Sequence, residues 1–454
     1  MKNKTIYYLT LIPLAIIVGL IVWIFTIIFE GGKPGLTVEP LPEFLSKKQV
    51  FVVKAADARR GLRAVKVSYA GGGKEGTILD EQFSFEGILN GKGTHAYEKE
   101  FVIDTQGLQI TQGAINITIQ AWDYSRKNGG DGNTAVISHS MILDTLPPTI
   151  SPLSQMHNIN QGGTGLVVYK TSSDTSESGV YVDDLFFKGY PATNDHNSEM
   201  HVAYFAIPYD ITKTPSIKLW AKDKAGNTAA TTFSFLVKRI RFKTDDINLS
   251  DSFLQKVCSY FSEEIDPNAG DLDNYLKINK EFRLKDNALI FDLMKDVSPD
   301  KLWEGSWLCL KNAENKARYA DHRRYLYNGK LVDEQDHLGI DLASIANDPI
   351  EAENNGKVLF AEKNGIYGNM VLIDHGQGIA SLYGHLNDIL VTKGQDVKKG
   401  DIIGHTGQTG LAGGDHLHVS ILVQGIFVNP IEWWDDHWIQ DNVTSKLDLI
   451  KSQQ

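Results

Sequence analysis

The chain has 454 residues, 42% hydrophobic and 22% charged, which is enough material for about three packed domains. Its net charge is −11 and no Lys/Arg run makes a basic face, which excludes a nucleic-acid partner. The two cysteines, Cys258 and Cys309, say little: they read first as two separate buried thiols, with a disulfide between them the alternative outside the cytoplasm.

The N-terminal segment is dominated by an uncharged apolar run from Ile6 to Phe29. At about 1.5 Å per residue it is long enough to cross a hydrocarbon core of about 30 Å. Lys2 and Lys4 precede it, which favours a cytoplasmic N-terminus. A cleaved signal peptide is the alternative. The run is too long for that, and Phe29-Glu30-Gly31-Gly32-Lys33 offers no small-x-small cleavage site. Residues 1–35 are therefore expected to be a cytoplasmic N-terminus and single-pass anchor in the inner (cytoplasmic) membrane. The rest of the chain, from residue 36 on, is then expected in the periplasm or extracytoplasmic space.

Residues 36–146 show short alternating runs between Gly-rich turns, such as Val50-Phe51-Val52-Val53 and Val65-Lys66-Val67-Ser68-Tyr69, the spacing of a β-sandwich. Leu146-Pro147-Pro148 reads as a linker to a second such block over 147–238. The two blocks share an ending. Ile117-Thr118-Ile119-Gln120-Ala121-Trp122-Asp123 with Gly132-Asn133-Thr134 matches Ile217-Lys218-Leu219-Trp220-Ala221-Lys222-Asp223 with Gly226-Asn227-Thr228. The offset of about 100 residues suits an immunoglobulin-like module, and the pattern resembles Ig-like repeats of bacterial surface proteins. The pair reads either as a surface that binds a cell-wall protein partner or as a stalk.

Between 239 and 300 the period changes to 3.6. Phe253, Leu254, Val257, Cys258 and Phe261 share a stripe, Asn248 or Ser250 can cap it, and Asp271 can cap a second helix carrying Leu272, Tyr275, Leu276 and Ile278. This segment reads as a helical connector packed on a neighbour. Residues 301–435 return to strands and tight turns, with strand-like runs at Lys357–Ala361, Met370–Ile373 and Ile379–Tyr383. Residues 436–454, with the preceding Trp433 and Trp434, form a tail expected to pack as a strand end and a short helix.

The chemistry concentrates in the 301–435 block. His416-Leu417-His418 places two imidazoles on one side of a strand, and His337-Leu338-Gly339-Ile340-Asp341 pairs a His with a carboxylate four residues apart. Two His and one Asp suit a zinc ion with one position left for water. Between these motifs lie Gly368-Asn369-Met370-Val371, Asp374-His375-Gly376, Leu382-Tyr383-Gly384-His385-Leu386, Val397-Lys398-Lys399-Gly400-Asp401-Ile402-Ile403-Gly404 and Gly407-Gln408-Thr409-Gly410.

The set and its order resemble the lysostaphin/LytM-type zinc peptidases, which cleave peptides in peptidoglycan. That resemblance covers roughly 130 residues. It implies a β-rich domain of the duplicated hybrid motif type; together with the apolar run and the alternating blocks upstream, the whole chain is expected to be mainly β with one membrane helix. It implies Zn2+ held by His337, Asp341 and His418, with His385 and His416 activating water or stabilising the oxyanion. The implied substrate is a peptidoglycan peptide. The alternative is a non-catalytic relative that scaffolds or activates another wall hydrolase. One departure stands out: where the family often continues Phe-Glu after His-Leu-His, this chain has Val419-Ser420. His375 and His405 read as structural, and His322 as a residue that could border the groove.

Overall fold

A computed structural model describes residues 2–110, 112–193 and 198–451. The chain is mainly β, with an N-terminal apolar helix, Lys2–Ile28, whose stretch Leu11–Ile28 has a mean hydropathy of 2.9. Among the described residues this is the one helix long and apolar enough to cross a membrane. The chain divides into two compact units, Met1–Pro147 with Lys224–Asn227, and Pro148–Asp223 with Thr228–Gln454.

In the first unit a five-stranded sheet packs on a three-stranded one. Leu62–Gly71 and Gly113–Asp123 run antiparallel at the centre of the larger sheet, and Lys48–Ala56 is the middle strand of the smaller. Alternation sets the core: Ile115, Ile117, Ile119 and Ala121 are fully buried from one face of Gly113–Asp123, against Phe51, Val53 and Ile103.

The second unit begins with another pair of four-stranded sheets. One holds Thr164–Thr171 beside Met200–Ala206, and the other holds Thr175–Val182 beside Ile217–Asp223. The repeated sequence ending is in each case an antiparallel pair: Gly113–Asp123 with Thr134–Leu143, and Ile217–Asp223 with Thr228–Thr231.

Next comes an eight-stranded sheet. Ile340–Ala343, Leu417–Val423, Ile379–Leu386, Asn369–Gly376 and Gly356–Lys363 lie side by side in that order, all antiparallel. Ile379–Leu386 and Leu417–Val423 are buried at every position. Such strands need cover on both faces, and both are covered. Val371, Leu382, Tyr383, Leu417 and Val419 join a core that takes in the 239–300 segment. Ile379, Ile421 and Val423 instead meet Val167, Phe205 and Ile207 of the preceding β module.

The 239–300 segment is built into this unit. Thr244–Leu249 pairs in parallel with His322–Tyr327. Ser250 Oγ caps the helix Asp251–Tyr260 by accepting the Phe253 N–H at 3.2 Å, and Leu254, Val257, Phe261, Tyr275 and Ile290 enter the core of the large sheet. The helical path continues beyond the expected stretch through Arg283–Leu293.

Two expectations need correction. Cys258 is buried but Cys309 is exposed, and both are free. The tail forms no strand end. It runs as short helical turns from Ile431 to Lys451, because its apolar side chains have a partner in the β module: Trp433 is fully buried among Trp303, Trp307 and Tyr204, with ring centroids 5.0–6.5 Å away. Lys446 Nζ donates to the Leu166 carbonyl at 3.2 Å.

Glu432 fixes this packing. It is buried, its two carboxyl oxygens accept from the Thr164 N–H and from Asn160 Nδ2, each at 2.8 Å, and burial pushes its pKa up to about 7. An acid raised in the folded state loses stability as pH rises from its unfolded value through its folded one. Relative to the wild type, Glu432→Gln should therefore gain about 3 kcal/mol between acidic and mildly alkaline pH. Denaturant unfolding followed by Trp fluorescence at several pH values measures this; a pH-independent difference would refute it.

Candidate metal centre

Strand register brings the two motifs together. Asp341 lies opposite His418 on the adjacent antiparallel strand, and His418 lies opposite Gly384, the neighbour of His385. His337 enters from the loop before Ile340–Ala343. Three donor atoms converge: His337 Nε2 and His418 Nδ1 each lie 2.9 Å from Asp341 Oδ1, and 3.0 Å from one another. Ligands of a tetrahedral zinc ion with bonds of about 2.0–2.1 Å are roughly 3.3 Å apart. The triangle is of that size.

The far side of each ring fixes its tautomer. His337 Nδ1 is 3.0 Å from the Arg318 carbonyl, so it carries the hydrogen and Nε2 is left with a lone pair. Ser420 Oγ donates to the Leu338 carbonyl at 2.8 Å and so accepts from His418 Nε2–H at 3.0 Å, which frees His418 Nδ1. Two imidazole lone pairs and a carboxylate oxygen thus face each other in a buried site. That arrangement is repulsive without a cation between them. The residues fit a zinc ion.

The electrostatics follow from burial and from Asp341. Burial opposes the charge on Asp341, but with no metal bound a proton held among the rings of His337, His416 and His418 keeps its carboxyl well below the usual range. Burial lowers His337, and it takes His418 down to about 4. Neutral imidazole is the form that binds a metal. Arg323 Nη2 donates to Asp341 Oδ2 at 2.8 Å, leaving Oδ1 to the triangle.

His385 and His416 stand beside the triangle, their ring centroids 4.8 Å apart. His385 adopts a left-handed φ of 66°, a strained value for a non-glycine residue, and its Nδ1 donates to the Thr409 carbonyl at 2.8 Å. His416 Nδ1 donates to the Gly414 carbonyl at 2.8 Å, and its Nε2 is 3.6 Å from Asp341 Oδ1. Burial, then the neighbouring His416, lowers His385 well below its ordinary value. His416 is raised, because the nearby Asp341 carboxylate outweighs its burial.

The Gly407-Gln408-Thr409-Gly410 turn serves both rings. Thr409 supplies the carbonyl for His385, Thr409 Oγ1 ties the turn to the Leu386 carbonyl at 2.8 Å, and the Gly407 carbonyl accepts the His416 N–H at 3.0 Å. His337, Asp341, His385, His416 and His418 thus all line one groove of about 470 Å³.

Three further contributors carry weaker sequence signals. Thr409 lies in the Gly-Gln-Thr-Gly motif, Ser420 marks the departure from the family pattern, and Arg323 has no spacing signal. Phe253, Tyr275 and Arg283, from the 239–300 segment, form part of the groove wall. His322 does not line it and is held instead by Asp336 Oδ1 at 2.8 Å. His375 is fully buried between the Asn355 carbonyl and Ser381 Oγ, and His405 Nδ1 meets Asp388 Oδ1 at 2.8 Å; both lie outside the groove.

Comparison with known proteins gives the same domain. Residues 335–430 match the model of peptidase family M23. The C-terminal part of this chain is an M23 peptidase domain. The DD-carboxypeptidase/endopeptidase Mpg of Neisseria meningitidis serogroup B is 39% identical over 95 residues, 21% of this chain and 22% of that protein. The peptidoglycan DD-endopeptidase ShyA of Vibrio cholerae is 38% identical over 96 residues, again 21% and 22%. The chain spans about a fifth of the length of the curated relatives it matches. A crystal structure described as a putative peptidase M23 from Pseudomonas aeruginosa overlaps 61% of this chain and 94% of its own, with 20% identity and a TM-score of 0.38. That score is too low for a comparison of folds.

Gly339 gives the M23 domain a test of its geometry. A Cβ there would sit 2.5 Å from His418 Nε2 and Cε1 and from the Val419 carbonyl, all rigidly held. Gly339→Ala should push His418 off the triangle and lower zinc affinity. Ser420→Ala, which removes only the orienting hydrogen bond, should lower it about 10–100-fold. Competition with a chromophoric chelator measures both; unchanged affinity in Gly339→Ala would show that His418 does not bind the metal.

Proposed function

We propose that the chain is a membrane-anchored zinc metallo-endopeptidase that hydrolyses peptide bonds in peptidoglycan. The observation that carries this reading is the triangle of His337 Nε2, His418 Nδ1 and Asp341 Oδ1, three hydrogen-free donor atoms within 3.0 Å of each other. They would hold the zinc. Bound zinc supplies Lewis acidity, acidifying a water and polarising a carbonyl.

The chain's own residues do the rest. His385 is held neutral by burial, with Nδ1–H given to Thr409, so its Nε2 is the free nitrogen that accepts a proton from the attacking water. His416 is fixed by Gly414 and sits beside Asp341, where it favours the protonated form and can donate a hydrogen bond to the oxyanion of the tetrahedral intermediate. Phe253, Tyr275 and Tyr367 give the groove apolar walls for a peptide, and Arg283 and Arg323 place positive charge where a stem-peptide carboxylate can pair.

The names of the relatives support the substrate class, since both are named for peptidoglycan or DD-peptide cleavage. The apolar helix Lys2–Ile28 supports an anchor in the inner membrane with the M23 domain outside the cytoplasm.

The full-length protein should carry about one zinc and release fragments from purified peptidoglycan. His418→Ala should lose both. His385→Ala should keep its zinc and lose activity by about 10²–10⁴-fold. Zinc content with mass spectrometry of released fragments checks each outcome. A zinc-loaded wild type that releases nothing, alone or at any pH, would instead favour the non-catalytic scaffold.

A further inference from the structure

The Ala-x-Asp … Gly-Asn ending of the first β module has no part in the peptidase chemistry. Its Asp123 is fully buried. Asp123 Oδ1 accepts the Ser125 and Asn133 N–H groups at 2.9 and 2.7 Å, and Oδ2 accepts Asn133 Nδ2 at 2.8 Å. The same Asn133 Nδ2, and Ser125 Oγ, donate to the Glu30 carbonyl at 3.0 and 2.8 Å. The motif therefore aims a carboxylate and pins the backbone of Glu30 beside it.

Asp57 completes a triad. Its Oδ1 accepts three successive N–H groups, from Arg59, Arg60 and Gly61, at 2.7–3.1 Å. One carboxylate oxygen from each of Glu30, Asp57 and Asp123 lies within 4.8 Å of the other two, and all three residues are buried.

Glu30 is the residue that needs an explanation. It is 4% exposed, yet its Oε1 has no hydrogen-bond partner. Its nearest cation, Arg59, is largely exposed and reaches only Oε2, at 3.6 Å. Burial, then the charges of Asp57 and Asp123, raise the Glu30 carboxyl above its ordinary range. A buried carboxylate with one oxygen unpartnered, set against two other carboxylates, is an unfavourable arrangement.

We propose that Glu30, Asp57 and Asp123 bind a calcium ion. The donors are all oxygen, with no imidazole or thiolate, which suits a hard cation. Calcium takes 6–8 oxygens at about 2.3–2.6 Å, so one ion can bridge ligands that lie within 4.8 Å of one another, with water filling the remaining positions. The site has a mechanical consequence. Glu30 follows the helix Lys2–Ile28 by two residues, and the Ile28 carbonyl already accepts the Arg126 N–H at 2.8 Å. Calcium would clamp the chain leaving the apolar helix onto the first β module.

The test uses the full chain in detergent, zinc-loaded, with terbium(III) as a luminescent calcium probe excited through Trp122 and Tyr124, which flank Asp123. The wild type should show sensitised emission that calcium displaces, with a Kd of about 10⁻⁴–10⁻³ M, the range of extracellular modules. Glu30→Gln keeps the shape of the side chain and should lose that component at least tenfold in affinity, with zinc content unchanged. Asp57→Asn should do the same. Calcium should also raise the wild-type thermal midpoint and leave that of Glu30→Gln unmoved. A wild type indifferent to calcium overturns the proposal, as does a Glu30→Gln protein that keeps the full response. A Glu30→Gln protein that no longer folds leaves the wild-type titration and Asp57→Asn to decide.

Discussion

The M23 domain depends on one oxygen. Asp341 Oδ1 stands 2.9 Å from two imidazole nitrogens that carry no hydrogen. Among the described residues, Arg323 pairs with the other carboxyl oxygen and His416 Nε2 stands 3.6 Å from Oδ1. Such a centre holds its shape only if each ring is fixed from behind, and each is. The Arg318 carbonyl holds His337, and Ser420 holds His418 while itself bonded to the Leu338 carbonyl. These outer bonds decide which nitrogen faces inward, and so leave lone pairs there that could hold a metal.

Those bonds are only as rigid as the sheet beneath them. The strands bearing His418 and His385 are covered on both faces: by the core that includes the 239–300 helices on one side, and by the preceding β module on the other. Removing either layer would expose rows of Val, Ile and Leu. The layers are therefore part of the M23 domain's stability, whatever else they do. The Trp303, Trp307 and Trp433 cluster and the Glu432 bonds tie the tail to the module, and that tie keeps the outer layer in place. The 239–300 segment has a second role, since Phe253, Tyr275 and Arg283 narrow the groove at its wall.

How much of this the sequence discloses depends on how local each feature is. His337 with Asp341, and His416 with His418, are legible because their spacing is set by local geometry. Strand pairing then adds only the register that puts Asp341 opposite His418. The apolar helix and the alternating runs of the β modules are legible for the same reason. Arg323 is not. It reaches Asp341 from the strand His322–Tyr327, which is placed by a parallel pairing with Thr244–Leu249 across more than seventy residues of chain, and no spacing rule encodes such a contact. The tail departs from its expected form because its Trp and Ile side chains have no period that distinguishes a strand end from short helical turns; the partner surface on the β module decides. Cys309 departs because thiols are commonly buried, while its loop is not.

The two centres obey one rule with different atoms. At each, buried acceptors converge beyond what the protein's own donors satisfy: Asp341 with two imidazoles in the M23 domain, and Glu30 with two carboxylates in the first module. The ligand type then sorts the ions. Imidazole nitrogens select a borderline ion such as zinc over calcium by preference for nitrogen. The all-oxygen site has no nitrogen, so it gives zinc no comparable advantage over a hard cation. On these proposals each ion would fill its own centre without emptying the other: zinc would serve the chemistry of the M23 domain, and calcium the attachment of the first module to its helix.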